Sequence, residues 1–153
     1  MNLLFDTNIL IFINRTKDAD KIRDFLNPNG NDIYISYASI AEVESFALQN
    51  NWSKNKIHRF NHFIDEARTI QIDDVLLKTY VDIDAFSQRK HPNYTNYSFE
   101  TPRNMGKHDL WIAATASILN LTLVTTDKDF DHLNKEFLKV RFINPLEIRK
   151  YLL

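Results

Sequence analysis

Short apolar runs alternate with helix-length amphipathic segments along the whole chain, and this alternation restricts the fold to βα units around a parallel sheet. Residues 2–5 read as a buried first strand, followed by a short helix through Ile9, Leu10, Phe12 and Ile13. A second helix over 19–26 stops at the turn-forming Asn27, Pro28, Asn29 and Gly30, and a short strand follows at 32–36. Ile40, Val43, Phe46 and Ala47 recur at helical spacing over 38–50, and Ser53 caps a partner helix carrying Ile57, Phe60, Phe63 and Ile64. A third strand is expected at 69–72, a helix at 73–88, another at 107–119, and strands at 122–125 and 140–143 with a short helix after Lys128 between them. Pro145 suits the first turn of a last helix.

A chain of 153 residues with 44% hydrophobic content has enough core for one ordinary domain, spanning 1–153, and too little for two. The absence of cysteine excludes a disulfide framework, a zinc-thiolate site and a cysteine nucleophile. Met1 leads straight into the first strand without a basic leader, and no apolar run is long enough to span a bilayer, so a cytoplasmic protein with no membrane contact is expected. A formal charge of -1 offers no global attraction to a polyanion. A nucleic-acid partner would need a local basic patch or a bound cation.

Acidic residues stand where the chain leaves its strands: Asp6 after the first, Glu42 after the second, Asp109 at the start of a helix, and Asp127 after the strand at 122–125. Ligands of open parallel sheets bind at the carboxyl ends of the strands, so these acids can converge on one point. Clustered carboxylates do not stay fully ionised without a cation, which makes a divalent metal the leading expectation. Each residue also has a plainer role open to it. Asp6 can serve as a helix cap, as can Thr7 or Asn8, and Glu42 can be a solvated helix residue like Glu44. Asp109 is favoured by Ala113, Ala114 and Ala116, which let its helix pack closely on a sheet, and by the helix dipole. Thr125 is placed to hydrogen-bond a carboxylate, and Asp129 is expected to cap the following short helix, leaving Asp127 at the mouth of the site.

The segment 89–106 has no period, and its Tyr94, Tyr97 and Phe99 are candidates for stacking on unpaired bases. With only Gly30 and Gly106 there is no glycine-rich phosphate loop, and neither a GxSxG nor an HExxH pattern occurs. A receiver-like signalling domain also uses strand-end aspartates, but Asp73 and Asp74 come too late in the chain and lack the partner pattern.

The stretches Leu4-Phe5-Asp6-Thr7-Asn8, Ser39-Ile40-Ala41-Glu42-Val43, 107–116 and 123–130 together resemble, in order and spacing, the PIN-domain ribonucleases, and in particular the VapC-type toxins of toxin-antitoxin systems. The resemblance implies a three-layer α/β/α domain around a parallel sheet of four or five strands. It also implies an acidic pocket of Asp6, Glu42, Asp109 and Asp127 that holds Mg2+ or Mn2+ for endoribonuclease activity. RNA would then be hydrolysed by a metal-activated water, with Arg103, Lys107 and His108 as candidates for holding its backbone. Family members are usually homodimers inhibited by a small antitoxin. Asp127 stands where such toxins often have Asn, and the segment before Asp109 is longer than in the smallest of them. A catalytically inactive PIN-fold RNA-binding module is the main alternative.

Overall fold

In the computed structural model, which describes residues 1–152, five strands form one sheet in the order β3-β2-β1-β4-β5. They are β1 (Leu3–Phe5), β2 (Ile33–Ser36), β3 (Arg68–Ile70), β4 (Thr122–Thr125) and β5 (Lys139–Phe142), and every pairing is parallel. The chain steps from β1 to β2 and β3 on one side and then returns to the other side of β1 to lay down β4 and β5. Strand order therefore reverses between β1 and β4, where an open α/β sheet leaves a crevice at its carboxyl edge. A receiver-like domain would instead order its strands 2-1-3-4-5.

Successive strand residues point to opposite faces, and both faces are covered. Leu3 and Phe5 face a core built with α1 (Thr7–Asn14), α2 (Ala19–Leu26), α3 (Tyr37–Gln49), α4 (Lys54–Glu66) and α7 (Pro145–Ile148), to which Ile9, Ile22, Val43, Phe60 and Ile148 contribute. Leu4 and Leu123 face the opposite core, filled from α5 (Leu77–Ser87) and α6 (Lys107–Ile118) by Ile83, Phe86, Leu110, Ile112 and Ala113. Ala113, Ala114 and Ala116 are fully buried, so α6 lies close against the sheet as its small residues predict. Ser53 caps α4 by accepting from the Lys56 N–H at 3.2 Å. None of the helices among the described residues is long and apolar enough to cross a membrane.

Element ends shift from their expected places for identifiable reasons. β3 pairs only with β2, and it ends at Ile70, opposite Ser36, where β2 turns into α3. The expected helix over 73–88 starts as a 3-10 turn, Asp74–Leu76, because the Asp73 carboxylate accepts from the Val75 N–H at 3.0 Å and tightens the entry.

Residues 89–106 pack against the second core, and the expected base-stacking role of their aromatics is corrected. Tyr94, Tyr97 and Phe99 surround the buried Phe86 with ring centroids 4.7, 5.2 and 5.5 Å away. The Arg103 N–H donates to the Ser87 carbonyl at 2.7 Å, and the Arg89 guanidinium donates to the Glu100 carbonyl at 2.9 Å. His91, itself buried, accepts from the Asn93 N–H at Nδ1, so its Nε2–H donates to Asp82 at 3.0 Å. The aromatics of this segment serve as core because, with Phe137 and His132, they enclose the Phe86 ring on α5.

Candidate active site

Phe5 pairs with Val124 across β1 and β4, so the next residues, Asp6 and Thr125, meet at the carboxyl edge of the two strands that flank the reversal point. The Thr125 hydroxyl donates to Asp6 Oδ2 at 2.7 Å and accepts from the Asp127 N–H at 3.0 Å. The other oxygen, Oδ1, accepts from the Thr7 N–H at 2.7 Å. Asp6 is thus both the cap of α1 and a member of the site, and the two roles do not compete. Burial pushes its carboxyl up to about 6; the Thr125 and Thr7 hydrogen bonds oppose the rise, and the charges of Asp127 and Glu42 add to it.

Asp109 enters from the first turn of α6 with its carboxylate beside those of Asp127 and Asp129, and oxygens from the three lie within 4.8 Å of one another. Burial and then the like charges of Asp6, Asp127, Glu42 and Asp129 push Asp109 up to about 7. The expected division of labour between Asp127 and Asp129 is reversed in part. Asp127 caps the 3-10 helix Lys128–Leu133, since its Oδ1 accepts from the Asp129 N–H at 2.9 Å, while Asp129 turns toward Asp109. An Asp closing a turn onto the residue two places on is a common preference, and it was the available signal.

Glu42 lies on α3, and its charge acts on both Asp6 and Asp109, whereas Glu44 is exposed. Its Oε1 is buried and lacks an aligned hydrogen bond, although His108 Nδ1 stands 2.9 Å away. Sequence reasoning did not find this contact, because Glu42 and His108 are brought together only by the packing of α3 beside α6. Of the basic residues, Lys107 and His108 are exposed at the start of α6, and Arg103 is half-buried near the buried His132. A cavity of about 140 Å3, lined by Leu10, Ile13, Ile22, Phe60 and Phe63 among others, includes none of Asp6, Glu42, Asp109, Asp127 or Asp129.

The donor set fits a hard divalent cation. It offers carboxylate oxygens from several elements, those of Asp109, Asp127 and Asp129 within 4.8 Å of one another, and an Asp109 carboxyl raised by burial and then by negative neighbours whose charge a cation would offset. Thr125 is the strut of this arrangement. Thr125→Val keeps the volume but leaves Asp6 Oδ2 and the Asp127 N–H without their partner, and is expected to destabilise the fold by about 2–3 kcal/mol. Thr125→Ser, which keeps the hydroxyl, is expected to recover most of that loss in chemical denaturation.

The PIN domain family description matches residues 3–136. Among solved structures, the chain is similar to VapBC2 from Rickettsia felis bound to a promoter DNA fragment, with a TM-score of 0.72, 20% identity, and 93% of this chain and 98% of that chain covered. VapBC-1 from nontypeable Haemophilus influenzae gives 0.68, 20% identity, and 93% and 98% coverage. FitAcB from Neisseria gonorrhoeae gives 0.64, 20% identity, and 94% and 97% coverage. No curated protein matches. The matched stretch runs from β1 through the 3-10 helix after β4 and contains every acid of the site, and the chain belongs to the PIN domain family.

Proposed function

We propose that this chain is a Mg2+- or Mn2+-dependent endoribonuclease of the VapC toxin type, acting in the cytoplasm and restrained by a small antitoxin. The observation that carries the reading is the convergence of Asp6, Glu42, Asp109 and Asp127, whose like charges add to the burial that pushes Asp109 up to about 7. An inactive RNA-binding module would have no use for such repulsion, which lowers stability for no gain. The similar VapBC structures support the antitoxin, and a homodimer is proposed by the same analogy.

A bound cation would supply an acidified water and offset charge on the phosphodiester during in-line displacement. The chain's own residues set the geometry. Thr7 and Thr125 fix both oxygens of Asp6, so this carboxylate has one orientation before anything binds. Asp127 is fixed through the turn it caps, and Asp109 by the close seat of α6 on the sheet. Arg103 and Lys107, on the approach to α6, would hold the RNA backbone by charge.

The test is incubation of purified protein with structured RNAs, with and without Mg2+ or Mn2+, beside Asp109→Asn. Cleavage is expected only from the unsubstituted chain with metal. Absence of metal-dependent cleavage, or metal-dependent cleavage that Asp109→Asn leaves unchanged, would overturn the reading, whereas cleavage that needs no metal and survives the substitution would point to a contaminant.

A further inference from the structure

Asp6 and Asp127 are each locked by a donor from the chain, but Glu42 is tied by no aligned hydrogen bond, and it has the longest side chain of the four. A glutamate free to rotate loses more entropy on binding than a carboxylate already fixed. His108 Nδ1 is 2.9 Å from Glu42 Oε1, and a small rotation of the ring would aim its N–H at that oxygen. The imidazole is half-exposed, so it has room for this rotation.

We infer that His108 is a positioning residue that holds Glu42 Oε1 by its Nδ1–H and thereby leaves the other oxygen of Glu42 to face the cation. The inference rests on the proposed metal pocket and gives His108 a role distinct from holding RNA. It needs no change of charge, since a neutral imidazole protonated at Nδ1 already presents the N–H that the contact requires. Loss of a partner that orients a ligating carboxylate typically costs about 10- to 100-fold in metal affinity. His108 would do for Glu42 what Thr125 does for Asp6, and both act from a neighbouring element.

Two readouts test it. In metal-free protein, long-range proton-nitrogen NMR in mildly alkaline solution is expected to show His108 mainly as the Nδ1-protonated tautomer, and Glu42→Gln is expected to shift that balance. In Mn2+ titrations followed by electron paramagnetic resonance, His108→Ala is expected to weaken binding about 10-fold or more. His108→Asn places an amide N–H near the position of Nδ1 and is expected to return affinity to within about 3-fold of the unsubstituted chain. In a Glu42→Gln background, His108→Ala is expected to add nothing further. An affinity within about 2-fold of the unsubstituted chain for His108→Ala, or a loss that persists in the Glu42→Gln background, would overturn the positioning role. Asp109→Asn separates the two levels. If it weakens Mn2+ binding and His108→Ala does not, only the positioning role falls; if neither it nor any other acid substitution matters, the metal pocket falls and His108 with it.

Discussion

Asp109→Asn is expected to lower RNA cleavage by on the order of 10^3-fold or more while making the metal-free chain more stable, a combination that a purely structural aspartate would not give. Burial and four like charges raise the Asp109 carboxyl from 3.8 to about 7, so the folded chain keeps a proton there that the unfolded chain has released. Stability from this group is therefore present below about pH 4 and is lost as pH rises through the window up to about 7. Asp6, raised to about 6, loses stability over the lower part of the same window. His132 runs the other way, because burial pulls its imidazole down to about 4 and its neutral form gains stability as pH rises from there to about 6.5. These opposed slopes hide each other in a single melting curve. The difference between Asp109→Asn and the unsubstituted chain removes the shared His132 contribution, and that difference is expected to grow between pH 4 and 7 in chelator. Asp109 is partly open to solvent, so about 1–2 kcal/mol at neutral pH is the expected gain, roughly 3–8 °C in melting temperature. Mn2+ should narrow the gap by stabilising only the chain that keeps its ligands. Asp6→Asn is the less clean probe, because an amide cannot accept from both Thr7 and Thr125.

Much of this site was legible in the sequence because strand periodicity and strand ends carry it. The apolar runs at 2–5 and 122–125 place Asp6 and Asp127 at a sheet edge, and the alanines after Asp109 announce a helix pressed on the sheet. The alternation of strands and helices also sufficed for a parallel sheet with both faces covered. What could not be read is what depends on side chains meeting across elements. The His108 contact with Glu42 joins residues 66 positions apart through the packing of α3 and α6. Which of Asp127 and Asp129 caps the short helix is decided by one backbone N–H, that of Asp129, which Asp127 accepts while remaining in the cluster. The end of β3 was misplaced because an edge strand stops where its only neighbour stops, and that neighbour is distant in sequence.

The segment 89–106 was misread for a related reason: aromatics without a period look like surface, yet here they surround one ring. Phe86 is 2% exposed and touches Tyr94, Tyr97, Phe99, Phe137 and His132 at centroid separations of 4.7 to 6.3 Å. Phe86→Ala removes the centre of that cluster, and the surrounding rings cannot collapse fully into the gap, because the Tyr97 hydroxyl is tied to the His91 backbone and the segment itself is held at Ser87 and Arg89. The expected loss is about 3–5 kcal/mol, measured by chemical denaturation. The same segment leads through Arg103 and Met105 into Gly106 and α6, so loosening it releases the helix that carries Asp109. Phe86→Leu keeps most of the volume and is expected to cost less than half as much. Hydrogen exchange should then distinguish two outcomes for Phe86→Ala: faster exchange over 89–110 with β1 and β2 unchanged, as a strap anchored by one ring requires, or a uniform increase, which would mean that the ring supports the whole second core and not this segment in particular.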